Sequence, residues 1–150
     1  MLKEYSPEGQ LISQISLSVV AGTSFIRHAI KLSNGHFLIS CYSGYKEPHR
    51  VCIVDAVGIL TTSFGGKCGP NSKQFECPAY LSVDGNGFVL VADRFNRRVL
   101  LLDSNLTFQR EILSKKKHGL QCPSRIILDE SIGRILVADE LRILIFRINE

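Results

Sequence analysis

Short apolar runs separated by polar turns recur along the chain, and their clearest example is the stretch Phe75–Asp103. Tyr80–Asp84 alternates apolar and polar residues and leads into the sequence DGNG, which is a strong hairpin signal. An apolar run, Phe88–Ala92, follows. The polar loop Arg94–Arg97 then precedes another apolar run, Arg98–Leu102. The pattern therefore predicts three short strands joined by two tight connections.

The same pattern returns at a spacing of about 45 residues. Gln121–Phe146 repeats the arrangement of Phe75–Asp103, including a Cys-Pro pair at its start and a Val-Ala-Asp run in its second strand. A weaker copy occupies His28–Asp55. Strand-rich units of this length predict a repeat architecture, and a β-propeller is the first candidate.

The residues that recur resemble the NHL repeat. Each strong unit has a Pro, a strand ending in Asp, a Gly, an apolar-Val-Ala-Asp run and an Arg before the third strand. The resemblance is strong in Phe75–Asp103 and good in Gln121–Phe146. It is degenerate in Phe25–Gly66, where Cys41 replaces the Asp. It implies an all-β fold, a β-propeller built of four-stranded antiparallel blades.

The repeats divide the chain into about three and a half blades. Residues 1–22 are the end of an incomplete blade, 23–69 the first full blade, 70–116 the second blade, and 117–150 a third blade lacking its last strand. Propellers ordinarily have about four to eight blades. We therefore expect an open arc or a fragment of a larger propeller, completed by blades from a longer parent chain or by self-association.

Composition favours a folded domain in a reducing compartment. Apolar residues make up 45% of the chain and charged residues 21%, which argues against disorder. No apolar run approaches the roughly 20 residues of a membrane span, and no signal-peptide core follows Met1. The five cysteines are odd in number and include no C-x-x-C, so neither a disulfide framework nor a zinc knuckle is indicated. A cytoplasmic location is the expectation.

The net charge of +4 conceals an uneven distribution. In a four-stranded blade, the loops between the second and third strands lie on the same face as the connections between blades. Counting charges by loop gives about +8 on this face, called the basic face below, and about −5 on the opposite face. Such a face would attract phosphate chains or acidic protein surfaces. Cations interleaved with aromatic residues suit phosphates and unpaired bases. The candidate binding residues are Tyr42, Tyr45, Lys46, Arg50, Lys67, Arg94, Phe95, Arg97, Lys115, Lys116, Lys117 and Arg125.

Catalytic signatures are weaker. The sequence contains no G-x-S-x-G and no H-E-x-x-H motif, and its four histidines do not recur in register. Amidating lyases resemble the fold, but their zinc-ligand pattern is not visible. Asp93 and Asp139 recur in phase, which fits a structural turn bond, and we expect Arg98 and Arg142 to pair with them. No catalytic residue, metal or cofactor is predicted.

The resemblance implies a recognition module. NHL domains of tripartite-motif ubiquitin ligases and related translational repressors bind RNA or protein partners, and a full-length parent of this kind could be an E3 ubiquitin ligase. The chain has no RING-type spacing of its own. The first hypothesis is a single-stranded RNA-binding face, and the alternative is a protein-interaction scaffold. An enzyme of lyase or lactonase type is the third reading. The pattern also predicts core positions, subject to a one-residue phase error: Val89, Val91, Val99, Leu101, Ile135, Val137, Ile143 and Ile145.

Overall fold

A computed structural model describes residues 1–17, 25–43 and 46–148, leaving out the side chains at 46 and 47. These residues form thirteen strands and a single four-residue helix. The strands are β1 (Leu2–Tyr5), β2 (Leu11–Ile15), β3 (Phe25–Lys31), β4 (Phe37–Ser43), β5 (Lys46–Val54), β6 (Leu60–Gly66), β7 (Pro78–Val83), β8 (Val89–Asp93), β9 (Arg98–Leu102), β10 (Phe108–Ser114), β11 (Pro123–Asp129), β12 (Arg134–Asp139) and β13 (Arg142–Arg147). The helix, α1, is Lys115–His118.

The strands form four antiparallel sheets in chain order. The first sheet is β1-β2, the second β3-β4-β5-β6, the third β7-β8-β9-β10 and the fourth β11-β12-β13. Within each sheet every strand pairs with its neighbour in sequence, which is the pattern of meandering blades. The all-β prediction with four-stranded antiparallel sheets is confirmed.

Three apolar clusters join the sheets face to face. One cluster around Ile39 and Cys52 lies between the first and second sheets. A second, around Phe75 and Leu100, joins the second and third. A third, around Leu120 and Val137, joins the third and fourth. Because β7 packs against both β3 and β11, the first strand of each complete sheet lies nearest the centre of the arc.

Most predicted core positions are buried. Val89, Val91, Val99, Ile135 and Val137 are each less than 5% exposed. Leu101 is half-buried and packs against the third cluster.

The predictions for Ile143 and Ile145 were wrong, since they are 70% and 58% exposed. Ile143 pairs with Ala138, and Ile145 with Leu136. Paired residues share one face of a sheet, so both side chains lie on the face of the fourth sheet turned away from the third. Among the described residues no further sheet packs against that face, and Leu144 between them points to the core.

The hairpin at Asp84 shows how the acidic residues of the opposite face are used. The Asp84 carboxylate accepts hydrogen bonds from the backbone N–H groups of Asn86 at 2.9 Å and Phe88 at 2.8 Å. Gly87 provides the left-handed residue, with φ of 84°. Asp55 and Asp103 make the same pair of bonds in their own turns. These carboxylates therefore stabilise turns.

Candidate nucleic-acid interface

Two of the arginines on the basic face are neutralised by buried aspartates. Arg98 Nε donates to the Asp93 carboxylate at 2.8 Å, and Arg142 Nη2 donates to Asp139 at 2.8 Å. Both carboxylates are completely buried. The predicted pairing is confirmed, and it removes these two arginines from the set able to meet a ligand.

The two aspartates end β8 and β12, the second strands of their sheets. Each also bonds to the chain segment that leads into its sheet. Asp93 accepts from the backbone N–H of Glu76 at 2.7 Å, and Asp139 from those of Gln121 and Cys122 at 2.9 and 2.6 Å. Burial raises the pKa of Asp93, although its hydrogen bonds oppose that rise. At Asp139 the hydrogen bonds outweigh the effect of burial, so the pKa of this carboxyl is lowered. These shared bonds explain why the Asp recurs in phase.

In the second sheet, Cys41 stands where the other sheets have the aspartate. It pairs in register with Arg50, as Asp93 pairs with Arg98. Hydrogen bonding from the Cys52 thiol, together with the charge of Arg50, lowers the pKa of Cys41 despite its burial. Arg50, predicted as a ligand contact, is half-buried beside this thiol.

Three other arginines of the basic face lie over aromatic rings. The guanidinium carbon is 5.9 Å from the ring centre for Arg27 over Tyr42, 5.4 Å for Arg94 over Phe95 and 5.9 Å for Arg125 over Tyr80. We call these the arginine–aromatic pairs. Within the described part of the chain, none of the three arginines lies within 4.0 Å of a carboxylate. Their charge is therefore left for a ligand.

Arg94 also bridges two sheets. Its Nε donates to Cys122 Sγ at 2.9 Å, at the entrance of the fourth sheet, and this bond raises the pKa of the guanidinium. Its backbone N–H donates to the Cys77 carbonyl at 3.1 Å. Held at both ends, Arg94 presents its remaining N–H groups in a fixed direction, which reduces the entropy lost on binding.

The innermost strands carry a row of polar side chains near the centre of the arc. Tyr80 pairs with Ala92 and Arg125 with Ala138 after equivalent bulges, and His28 with Ser40 likewise. His28 stacks on Tyr80 with 3.8 Å between ring centres, and Arg125 covers Tyr80 in turn.

His28 is held as a neutral acceptor in this row. Its Nδ1 accepts the backbone N–H of Leu81 at 3.2 Å. Burial lowers its pKa, and the charge of Arg125 lowers it further. Sequence reasoning selected Arg125 but missed His28 and Tyr80. The available signal was that Tyr80 occupies the same place as Arg125, three residues after the Cys of each strong repeat.

The lysine run follows β10 at the end of the third sheet that carries Arg98, since Ser114 pairs with Arg98. Lys115–Lys117 form most of α1, which Ser114 caps by accepting the Lys117 N–H at 3.3 Å and which ends at Gly119 in the left-handed conformation. Lys115 and Lys116 are exposed, and so is Lys117. Lys117 and His118 line an apolar groove of about 580 Å³ between the third and fourth sheets, where His118 meets the edge of Phe146. Among the described residues, no hydrogen bond or ring contact joins this run to Phe95.

The other predicted residues fall into two groups. Lys67 and Arg97 are exposed, and Arg97 has a left-handed φ of 55° in the loop before β9. Tyr45 lies outside the described residues, as does the side chain of Lys46.

No group of three or more His, Cys, Asp or Glu side chains suited to a metal occurs among the described residues. None of the described helices is long and apolar enough to cross a membrane.

No protein-family model matches the chain, and no curated protein matches its sequence. Solved structures do resemble it. A protein of unknown function from Bacteroides caccae aligns with a TM-score of 0.58 at 14% identity, over 97% of this chain and 53% of that one. Streptogramin B lyase aligns with a TM-score of 0.59 at 13% identity, over 97% and 47%. The extracellular domain of a putative hybrid two-component system from B. thetaiotaomicron gives 0.64 at 14%, over 96% and 18%.

These likenesses establish a propeller-type fold and nothing finer. The chain spans about half the length of the first and second of these structures and less than a fifth of the third.

Proposed function

We propose that the chain is a non-catalytic recognition module that binds single-stranded RNA through its basic face. The observation that carries the proposal is the set of three arginine–aromatic pairs, none of whose arginines meets a carboxylate among the described residues. Sequence-tolerant binders of single strands combine cations along the backbone with aromatic faces on which bases stack. Phe95 is 47% exposed and so offers such a face.

The division of charge supports a nucleic-acid partner. Asp93 and Asp139, which would repel phosphates, are completely buried and already bonded to arginines. The aspartates of the opposite face are bonded to turn N–H groups. The basic face thus presents cations whose counterions an RNA would displace.

The proposal extends to the protein's setting. The NHL-like residues favour a cytoplasmic module that selects targets for a tripartite-motif-like ubiquitin ligase or a post-transcriptional regulator. A protein-interaction scaffold with no RNA binding is the competing proposal, and the experiment below separates the two.

The test is a fluorescence-anisotropy titration with a labelled, unstructured pyrimidine RNA at two salt concentrations. Phe95→Ala should weaken binding by about 1–3 kcal/mol with little change in the salt dependence, because stacking releases no counterions. Replacing Lys115, Lys116 and Lys117 with Gln should reduce the salt slope by about 0.7 for each of these lysines that binds a phosphate in the wild type.

Arg147→Gln is the matched control, since Arg147 is exposed at the far end of β13. Binding that is absent in the wild type, or equal in all variants, would discard the RNA proposal and leave the protein scaffold.

A further inference from the structure

A continuous set of contacts connects two arginines of the basic face across the boundary between the second and third sheets. Arg27 of β3 lies over Tyr42, whose ring meets the ring of His49 edge to face with 5.1 Å between centres. His49 Nδ1 accepts the backbone N–H of Cys77 at 3.1 Å. The Cys77 carbonyl in turn accepts the backbone N–H of Arg94, also at 3.1 Å. We call these five residues the arginine junction.

The two guanidinium charges act on the same buried group. Burial raises the pKa of the Cys77 thiol, and the charges of Arg27 and Arg94 both oppose that rise. Neither guanidinium meets a carboxylate among the described residues. The junction therefore brings two positive charges from different sheets close together, and their summed field attracts an anion.

His49 adds a buried donor that has no acceptor. Its residue is 1% exposed. Because Nδ1 accepts the Cys77 N–H, the ring proton lies on Nε2. Nε2 makes no hydrogen bond within the described part of the chain. A buried donor in this state costs free energy, so its retention indicates a group that it serves.

We propose that the arginine junction binds the terminal phosphate monoester of a single-stranded RNA. The inference rests on the RNA proposal above and adds which part of the RNA this site selects. Tyr42 is half-buried and contacts both the His49 ring and the Arg27 guanidinium, so a phosphate that moves its ring aside meets both donors. Arg94 contributes its terminal N–H groups from the third sheet, because its bond to Cys122 uses Nε.

A terminal monoester fits these donors better than an internal phosphodiester does. An internal phosphate carries a single negative charge and two unbridged oxygens. A monoester carries a charge of about −1.5 to −2 at neutral pH and three acceptor oxygens. Each guanidinium can bond two oxygens at once, and the imidazole N–H needs a further acceptor. The monoester therefore matches both the charge of two arginines and the additional donor of His49.

The experiment is a competition followed by fluorescence anisotropy. A labelled, unstructured pyrimidine RNA is displaced by three unlabelled RNAs of one sequence, which carry a 5′-phosphate, a 3′-phosphate, or hydroxyls at both ends. A phosphorylated form should compete at least about tenfold better than the hydroxyl form, because it adds charge-assisted hydrogen bonds. Which form gains identifies the end that the site binds.

Three variants locate the preference. Arg27→Gln and Arg94→Gln should each reduce it to about twofold or less, since each removes one guanidinium. His49→Asn should do the same, because its side-chain oxygen can still accept the Cys77 N–H while no donor reaches the position of Nε2. Arg125→Gln is the matched control. Arg125 lies over Tyr80 at the same 5.9 Å, so this variant should weaken all three RNAs alike and keep the preference.

The outcomes separate this inference from the RNA proposal. Equal competition by all three RNAs overturns the inference and leaves the RNA proposal standing. A wild type that binds none of them refutes both. A preference that survives Arg27→Gln overturns the inference, since Arg27 is exposed and its replacement leaves the fold intact. A phosphoserine peptide that displaces the labelled RNA as well as the phosphorylated RNA does would assign the site to a phosphoprotein and overturn it too.

Discussion

Removing Arg98 should destabilise the fold far more than removing the equivalent Arg142. Arg98 is about nine-tenths buried and donates to Asp93 and to the carbonyls of Pro70, Asn71 and Gln74 at 2.7 to 2.8 Å. Arg98→Ala leaves a fully buried carboxylate and three carbonyls without this partner. Removing one member of a buried ion pair costs about 3–5 kcal/mol.

Arg142 makes a comparable ion pair in a different environment. Its side chain is 47% exposed, so water can replace it. Asp139 also keeps its bonds from the N–H groups of Gln121 and Cys122. Arg142→Ala should therefore cost about 1 kcal/mol, as exposed pairs do.

Urea unfolding followed by circular dichroism measures both values. The double variant Asp93→Asn, Arg98→Met completes the comparison, because removing both charges relieves most of the penalty of leaving one. If Arg98→Ala costs no more than Arg142→Ala, the argument that burial sets the strength of these pairs is refuted.

Three further perturbations have expected outcomes. Asp139 has a lowered pKa in the folded state. Its contribution to stability is therefore present above the unfolded pKa of about 3.9 and is lost as the pH falls through the folded pKa. Asp139→Asn should make the free energy of unfolding in urea fall less between neutral pH and a pH below the folded pKa. Gly65→Ala should lower the melting temperature well beyond Gly9→Ala, although both glycines have positive φ. A Cβ on Gly65 would lie 2.6 Å from the His49 carbonyl oxygen, whereas one on Gly9 meets nothing within 4 Å. Leu100→Ala, at a fully buried position, should cost about 2–5 kcal/mol in the same urea assay.

The repeat pattern allowed the fold to be predicted, because local signals coincided in each unit. The alternation at Val89 and Val91, and the Asp84 turn sequence, each specify a strand or a hairpin without long-range information. The errors at Ile143 and Ile145 have a different origin. A strand's alternation identifies two faces, but which of them meets another sheet depends on how many sheets follow.

The candidate site could be predicted only in part, because side-chain partners come from different sheets. Arg94 lies in a polar loop that the sequence identifies, but its bond to Cys122 joins residues of two sheets. The stack of His28 on Tyr80 joins two innermost strands and leaves no local pattern. Charge counting selected Lys117, but its place at the groove between the third and fourth sheets depends on packing that the local sequence does not encode.

The most direct test of the central claim is the affinity of the protein for an unstructured RNA when the arginine–aromatic pairs lose their charge. Arg27, Arg94 and Arg125 are replaced together by Gln, and the variant is compared with Arg147→Gln by anisotropy at several salt concentrations. We predict that the triple variant binds weakly and that its salt slope falls by about 2 units, which is about 0.7 for each of three phosphate contacts, while the control binds like the wild type. A triple variant that binds as tightly as the control, with the same slope, would contradict the claim that this face binds RNA.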